Sequence, residues 1–215
     1  MNGNVTDWVA DKLTTDDNNL KIAGRTPEGF LLVRSKDGYT FSVAVLGLKG
    51  VIELSDVKPL FVGATKPQLV VNVPSKTLWS GAAIHFIHAA SAAFGTMGDI
   101  SRAARTEDAG SYRDKNMGFF INAMRQHSNV SGVSYVYEAV FKADRKIGES
   151  LIIAVINAYN MSAEDVRNAK DRFGHFDIVV KSTSYGSITT QAEAAAESMG
   201  AQALGLGELM RRLAK

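Results

Sequence analysis

Cysteine is absent from the 215-residue chain. With it go disulfide frameworks, thiolate zinc sites, iron–sulfur clusters and cysteine nucleophiles. Proline is scarce, and all four prolines stand at or before position 74, so nothing later breaks a helix by removing its amide. No run of 18 apolar residues occurs, the length a membrane-spanning helix needs. The opening MNGNVTDWVADKL lacks the basic-then-apolar order of a secretory signal. These absences predict a cytoplasmic protein in a reducing compartment, with no membrane partner. An excess of one charge is missing too. The 24 Lys+Arg against 22 Asp+Glu leave +2, too small an excess to argue for nucleic acid on its own.

What remains is an ordinary globular composition, 46% hydrophobic. A chain of this length buries roughly 70% of its unfolded surface, enough for one large core or one domain with a small appendage. Texture changes near Lys76. The predicted organisation is a β-rich region over 1–76 and an α/β region over 77–215, either as separate parts or as one continuous domain. No repeat of 20 to 50 residues is visible.

Thr6 is read as the cap of a short helix with Val5, Trp8, Val9 and Leu13 on one stripe, ended by the polar run Thr14 to Asn19. Phe30–Ser35 and Tyr39–Leu46 flank Lys36-Asp37-Gly38, the signature of a tight hairpin. Val51–Leu54, Lys58–Val62 and Gln68–Val73 follow as candidate strands. Together they predict a β-meander or small barrel packed on helices. An Ala-rich helix is expected over Leu78–Phe94, then helices over Ile100–Arg105 and Lys115–Gln126.

Val133–Lys142 alternates apolar and polar residues, as a strand covered on one side does, and Leu151–Ile156 is apolar on both faces, as an interior strand is. Ser162-Ala163-Glu164-Asp165 and Thr190-Gln191-Ala192-Glu193 read as capping boxes opening helices. Phe176–Val180 and Ala201–Leu206 are strand-like, and Glu208–Leu213 closes the chain as a helix. Alternation of strand and helix predicts an α/β (or α+β) fold whose C-terminal mixed sheet contains parallel βαβ units.

Ligands of a parallel sheet collect beyond the strand carboxyl ends, where helix N-termini present unpaired amides. That rule selects Asn157, Tyr159 and Asn160 after one strand, and Lys181, Ser182, Thr183, Ser184, Tyr185, Gly186 and Ser187 after the next. A cation, hydroxyls and a glycine before a helix suit a phosphate or carboxylate; the same residue types also serve in any loop that caps a helix. Arg102, Arg105, Arg113, Lys115 and Arg125 form a second candidate, a helical surface able to follow a phosphate backbone with Tyr112 for stacking. Acids interrupt it at Glu107, Asp108 and Asp114.

The leading expectation is therefore a non-catalytic binder of nucleic acid or a nucleotide, without a cofactor. The alternative is a nuclease or phosphodiesterase using Mg²⁺ or Mn²⁺ with Glu138, Asp177 and Lys181. Its difficulty is that residues four apart on a strand stand about 13 Å apart. A third reading makes the Ala-rich helix the contact of a homo-oligomer or assembly. His85 and His88 share a helix face, but no further ligands accompany them. Gly-x-Ser-x-Gly, Walker, Gly-x-Gly-x-x-Gly and His-Glu-x-x-His motifs are all missing. Gly205-Leu206-Gly207 alone is a poor dinucleotide signal, and Arg211-Arg212 complements a helix C-terminus.

Overall fold

The computed structural model describes residues 5–15 and 19–214. Chain contacts divide it into two compact units, Met1–Asp114 and Lys115–Lys215. The textural change near Lys76 is not a boundary between them, because strands on either side of it are hydrogen-bonded neighbours in one sheet. The expected α/β class holds in both units, each built on one five-stranded mixed sheet.

The first unit runs α1 (Val5–Thr15), β1 (Leu20–Arg25), β2 (Leu31–Ser35), β3 (Thr40–Leu46), α2 (Leu54–Val57), a 3₁₀ turn (Lys58–Phe61), β4 (Leu69–Asn72), α3 (Gly81–Ala89), β5 (Ala93–Thr96) and α4 (Met97–Ala104). Thr6, read as the cap of α1, lies inside the helix, and Asp16 to Asn18 of the polar run fall outside the described residues. The hairpin β2–β3 forms as expected, with Gly38 at φ 91°, a value that favours glycine. β1 extends it to a meander, and β4 and β5 add in parallel, leaving an open sheet in the order β1-β2-β3-β4-β5.

Three expectations fail here. Val51–Leu54 contributes a single bridge at Ile52 and then helix, and Lys58–Val62 is a 3₁₀ turn with Pro59 in its first turn, a place that tolerates proline's missing N–H. The Ala-rich helix stops at Ala89. Ser91 takes φ 56°, and Ala93–Thr96 pairs with β4 as a strand. Ala83, Ile84 and Ile87 of that helix are buried. Strand alternation explains the layers. Val43, Leu69 and Val71 pack toward α1 and α4, while Phe94 turns to the other face and meets His88 of α3.

The second unit runs α5 (Lys115–Gln126), β6 (Val130–Tyr137), β7 (Val140–Arg145), β8 (Leu151–Ile156), α6 (Ala163–Phe173), β9 (Ile178–Lys181), α7 (Thr190–Ser198), β10 (Gln202–Gly205) and α8 (Leu206–Leu213). Its sheet order is β10-β9-β8-β7-β6, with β8, β9 and β10 parallel. The predicted strand Val133–Lys142 is two antiparallel strands, turned at Glu138-Ala139. The second expected capping box does not form: the N-cap is Thr189, not Thr190, and N3 is then Ala192, which has no polar side chain to bond back. Thr189, extended because its N–H bonds Met161 O at 3.1 Å, accepts from the Ala192 amide at 3.1 Å.

One face of this sheet carries Phe141, Ile153, Val155, Ile178 and Val180 against α5 and α8, and the other carries Val140, Ala154 and Val179 against α6 and α7. Both units thus have the same succession: a helix, a three-stranded meander, and two crossovers into parallel strands, with a final helix.

Candidate functional site

The connection after β9 leads to α7 on one face of the second unit's sheet, and β10 passes directly into α8 on the other. Adjacent parallel strands whose outgoing chains diverge leave a crevice between them at their carboxyl ends. One is present here, about 510 Å³ in volume. Its wall is Lys181–Ser184, Gly186–Ile188 and Glu193 on one side and Gly205–Glu208 on the other, with Phe119 of α5 at its edge.

Lys181 ends β9 and is 4% exposed. Its ammonium donates to Thr183 O at 2.7 Å, to Thr183 Oγ1 at 3.0 Å and to Tyr185 O. No carboxylate pairs with it among the described residues. A buried ammonium offset only by neutral oxygens is an unusual expense, because taking the ion out of water costs several kcal/mol. The loop it organises is braced from the preceding connection. Asn160 Oδ1 accepts from the Ser187 amide at 2.9 Å, Thr183 Oγ1 donates to Ala158 O at 3.1 Å, and the Ser182 amide donates to Ile156 O at 2.9 Å. Gly186 sits at φ 74°, where a Cβ would strike the Tyr159 carbonyl.

Four amides stay unused. Among the described residues, the N–H groups of Thr183, Ser184, Tyr185 and Gly186 meet no acceptor. The Ser182 hydroxyl is likewise buried without a partner. The crevice therefore offers donors in excess, with the carboxylates of Glu193 and Glu208 on its flanks.

Asn157, Tyr159 and Asn160, expected beside the ligand, stand outside the crevice wall, and Asn160 acts as a brace. Tyr185 contributes its carbonyl inward and is itself 75% exposed. Gly205–Glu208 and Phe119 were not legible as site residues, because the sequence does not show that α7 and α8 leave on opposite faces. The only signal was Gly205-Leu206-Gly207 directly after a strand.

The basic segment is not one helical surface. Arg102 and Arg105 belong to the end of α4, Arg113 to the stretch after it, and Lys115 and Arg125 to α5 of the other unit. Arg102 pairs with Asp99 at 2.8 Å, and Arg113 donates to Gly110 O at 3.1 Å and Tyr112 O at 2.6 Å. Tyr112 cannot stack on a base: it is buried, and its hydroxyl donates to Asp99 at 2.6 Å. Burial alone would raise the Asp99 carboxyl, but hydrogen bonds from Tyr112, the Thr96 amide, Arg102 and the Thr96 hydroxyl hold it below its usual range. Burial and the same carboxylate push the Tyr112 phenol up.

Glu138, Asp177 and Lys181 are not brought together. Glu138 sits in the β6–β7 turn and pairs with Arg172 at 2.5 Å. Asp177 precedes β9, accepting from the Ile152 amide at 2.7 Å and facing His175 at 3.2 Å, while Lys181 closes the same strand at its other end. Lys142 pairs with Asp144 at 3.0 Å rather than with Glu138. No cluster of three or more metal-ligating His, Asp or Glu side chains exists among the described residues, and no described helix is long and apolar enough to cross a membrane. No protein-family model, curated protein or solved structure matches the chain.

Proposed function

We propose that the protein binds a phosphate-bearing ligand, a nucleotide or a nucleic-acid phosphate, in the crevice between β9 and β10, without acting on it chemically. The observation that carries this reading is Lys181: a buried ammonium in the crevice wall with no carboxylate partner among the described residues. Beside it are four unused amides and the N-terminus of α7. An anion placed there supplies the missing negative charge and accepts from amides that no protein acceptor engages.

Calorimetric titration at 50 mM salt with inorganic phosphate, a nucleoside monophosphate and a short oligonucleotide tests it. Saturable binding is expected, weakening as salt rises and falling about tenfold or more in Lys181→Met, which removes the buried positive charge facing the anion. At 100 times Kd the ligand adds about 2.7 kcal/mol of stability. Heat signals absent for all three probes, or a Lys181→Met protein that binds like the parent, would refute the reading.

A further inference from the structure

The two units agree in more than their succession of elements. Among the described residues, each has one isolated parallel bridge outside its named strands, Ile52 with Trp79 and Met161 with Ile188. Both partners are displaced by the same step of 109 residues (161 − 52 and 188 − 79). The hydrogen bond entering the last strand is repeated at that step, Ala93 N to Gln68 O at 2.9 Å and Gln202 N to Asp177 O at 3.0 Å. So is the cap of the second crossover helix, Ser80 over Ala83 and Thr189 over Ala192.

We infer that the units are diverged copies of one ancestral α/β unit, and that subtracting the first copy from the second isolates the groups that recognise the ligand: the Lys181 ammonium, the Ser182 hydroxyl and the Thr183 amide. This second part rests on reading the crevice as a phosphate site. At the step of 109, Asn72 stands for Lys181. Asn72 Nδ2 donates to the carbonyl two residues on, Pro74 O at 3.1 Å, as Lys181 Nζ donates to Thr183 O at 2.7 Å. Holding the loop thus requires a donor but no charge.

Val73 stands for Ser182, and both amides bond the last residue of the neighbouring parallel strand, Leu46 O at 3.0 Å and Ile156 O at 2.9 Å. The backbone is shared, yet one side chain is apolar and the other is a buried hydroxyl without a partner. Pro74 stands for Thr183, so the fold manages without the amide that the second copy leaves unused. Charge, hydroxyl and amide are therefore surplus to folding. The hydroxyl and the amide are donors, and the ammonium, whose three N–H groups are engaged within the loop, adds positive charge; together they fit a phosphoryl group, whose oxygens only accept when fully ionised.

The test gives the full chain the first copy's residues, Ser182→Val and Lys181→Asn, with Ser182→Ala and Lys181→Gln as milder versions. Each is melted, then titrated with inorganic phosphate and separately with a nucleoside monophosphate. The expected result is a melting temperature within a few degrees of the parent for both serine variants and for Lys181→Asn. Phosphate should bind about tenfold or more weakly without the ammonium, and several-fold more weakly without the hydroxyl. Equal weakening for both probes locates recognition in the phosphoryl group; loss for the nucleotide alone would overturn that assignment. Swapped residues that collapse the melting transition while the milder versions are tolerated would overturn the copy relation. Parent-like binding by folded variants would overturn the ligand roles and leave the crevice itself standing. A parent that binds neither probe defeats the phosphate reading and the ligand roles together, and the copy relation is then judged by the melts.

Discussion

At the level of single residues, the charged and polar groups with the most partners are the ones that hold structure. Asp99 receives hydrogen bonds from Tyr112, Thr96 and Arg102 within one unit. Replacing Tyr112 by Phe should cost about 1.5–3 kcal/mol, the range for a hydrogen bond to a charged group, read as a lower urea midpoint with unchanged slope. His88 gives a pH signature. Burial, with Arg113 and His85 nearby, lowers its pKa from 6.5 to about 4. Between those values the unfolded chain takes up the proton and the folded one does not, so stability present above pH 6.5 is lost as pH falls toward 4. The loss should be roughly 1–2 kcal/mol, less than the full shift implies because water still reaches the ring. Urea midpoints at pH 7 and pH 4.5 should converge in His88→Phe; a parent-sized gap in the variant would assign the effect elsewhere. Gly186→Ala should cost at least 1–3 kcal/mol, from a positive φ and a blocked Cβ.

Among elements, the legible ones were those whose pattern is set by burial on both faces or by a cap. β8 is legible from an unbroken apolar run, β9 from its short Ile178-Val179-Val180 stretch, and α6 from Ser162, whose hydroxyl and Asp165 carboxylate form the expected reciprocal bonds at 3.2 and 2.8 Å. Ser162→Ala should destabilise by about 1 kcal/mol, visible as earlier loss of helical ellipticity on heating. The illegible elements had patterns that continue across a change of structure. Tyr137, Ala139 and Phe141 keep the same parity through the β6–β7 turn, so one strand was read where there are two. Ala93–Thr96 continues the small-and-aromatic composition of the helix before it, and pairing with β4 makes it a strand. The crevice was half visible. Its loop could be read from residue types after a strand, whereas Gly205–Glu208 entered through a choice of sheet face that residue types do not record.

Across the whole chain, the unit boundary and the repeat were hidden for one reason. The step is 109 residues long, and the copies keep burial and bonding while exchanging side chains, as Val73 for Ser182 and Asn72 for Lys181 show. The central claim is local to the second copy, so the most direct measurement is an amide proton–nitrogen spectrum of the full-length protein titrated with inorganic phosphate. The account predicts saturable shifts concentrated at Ser182, Thr183, Ser184, Tyr185 and Gly186, with the corresponding loop Val73–Leu78 unmoved. Shifts confined to the Arg102–Arg125 segment, or a spectrum that phosphate leaves unchanged, would contradict it.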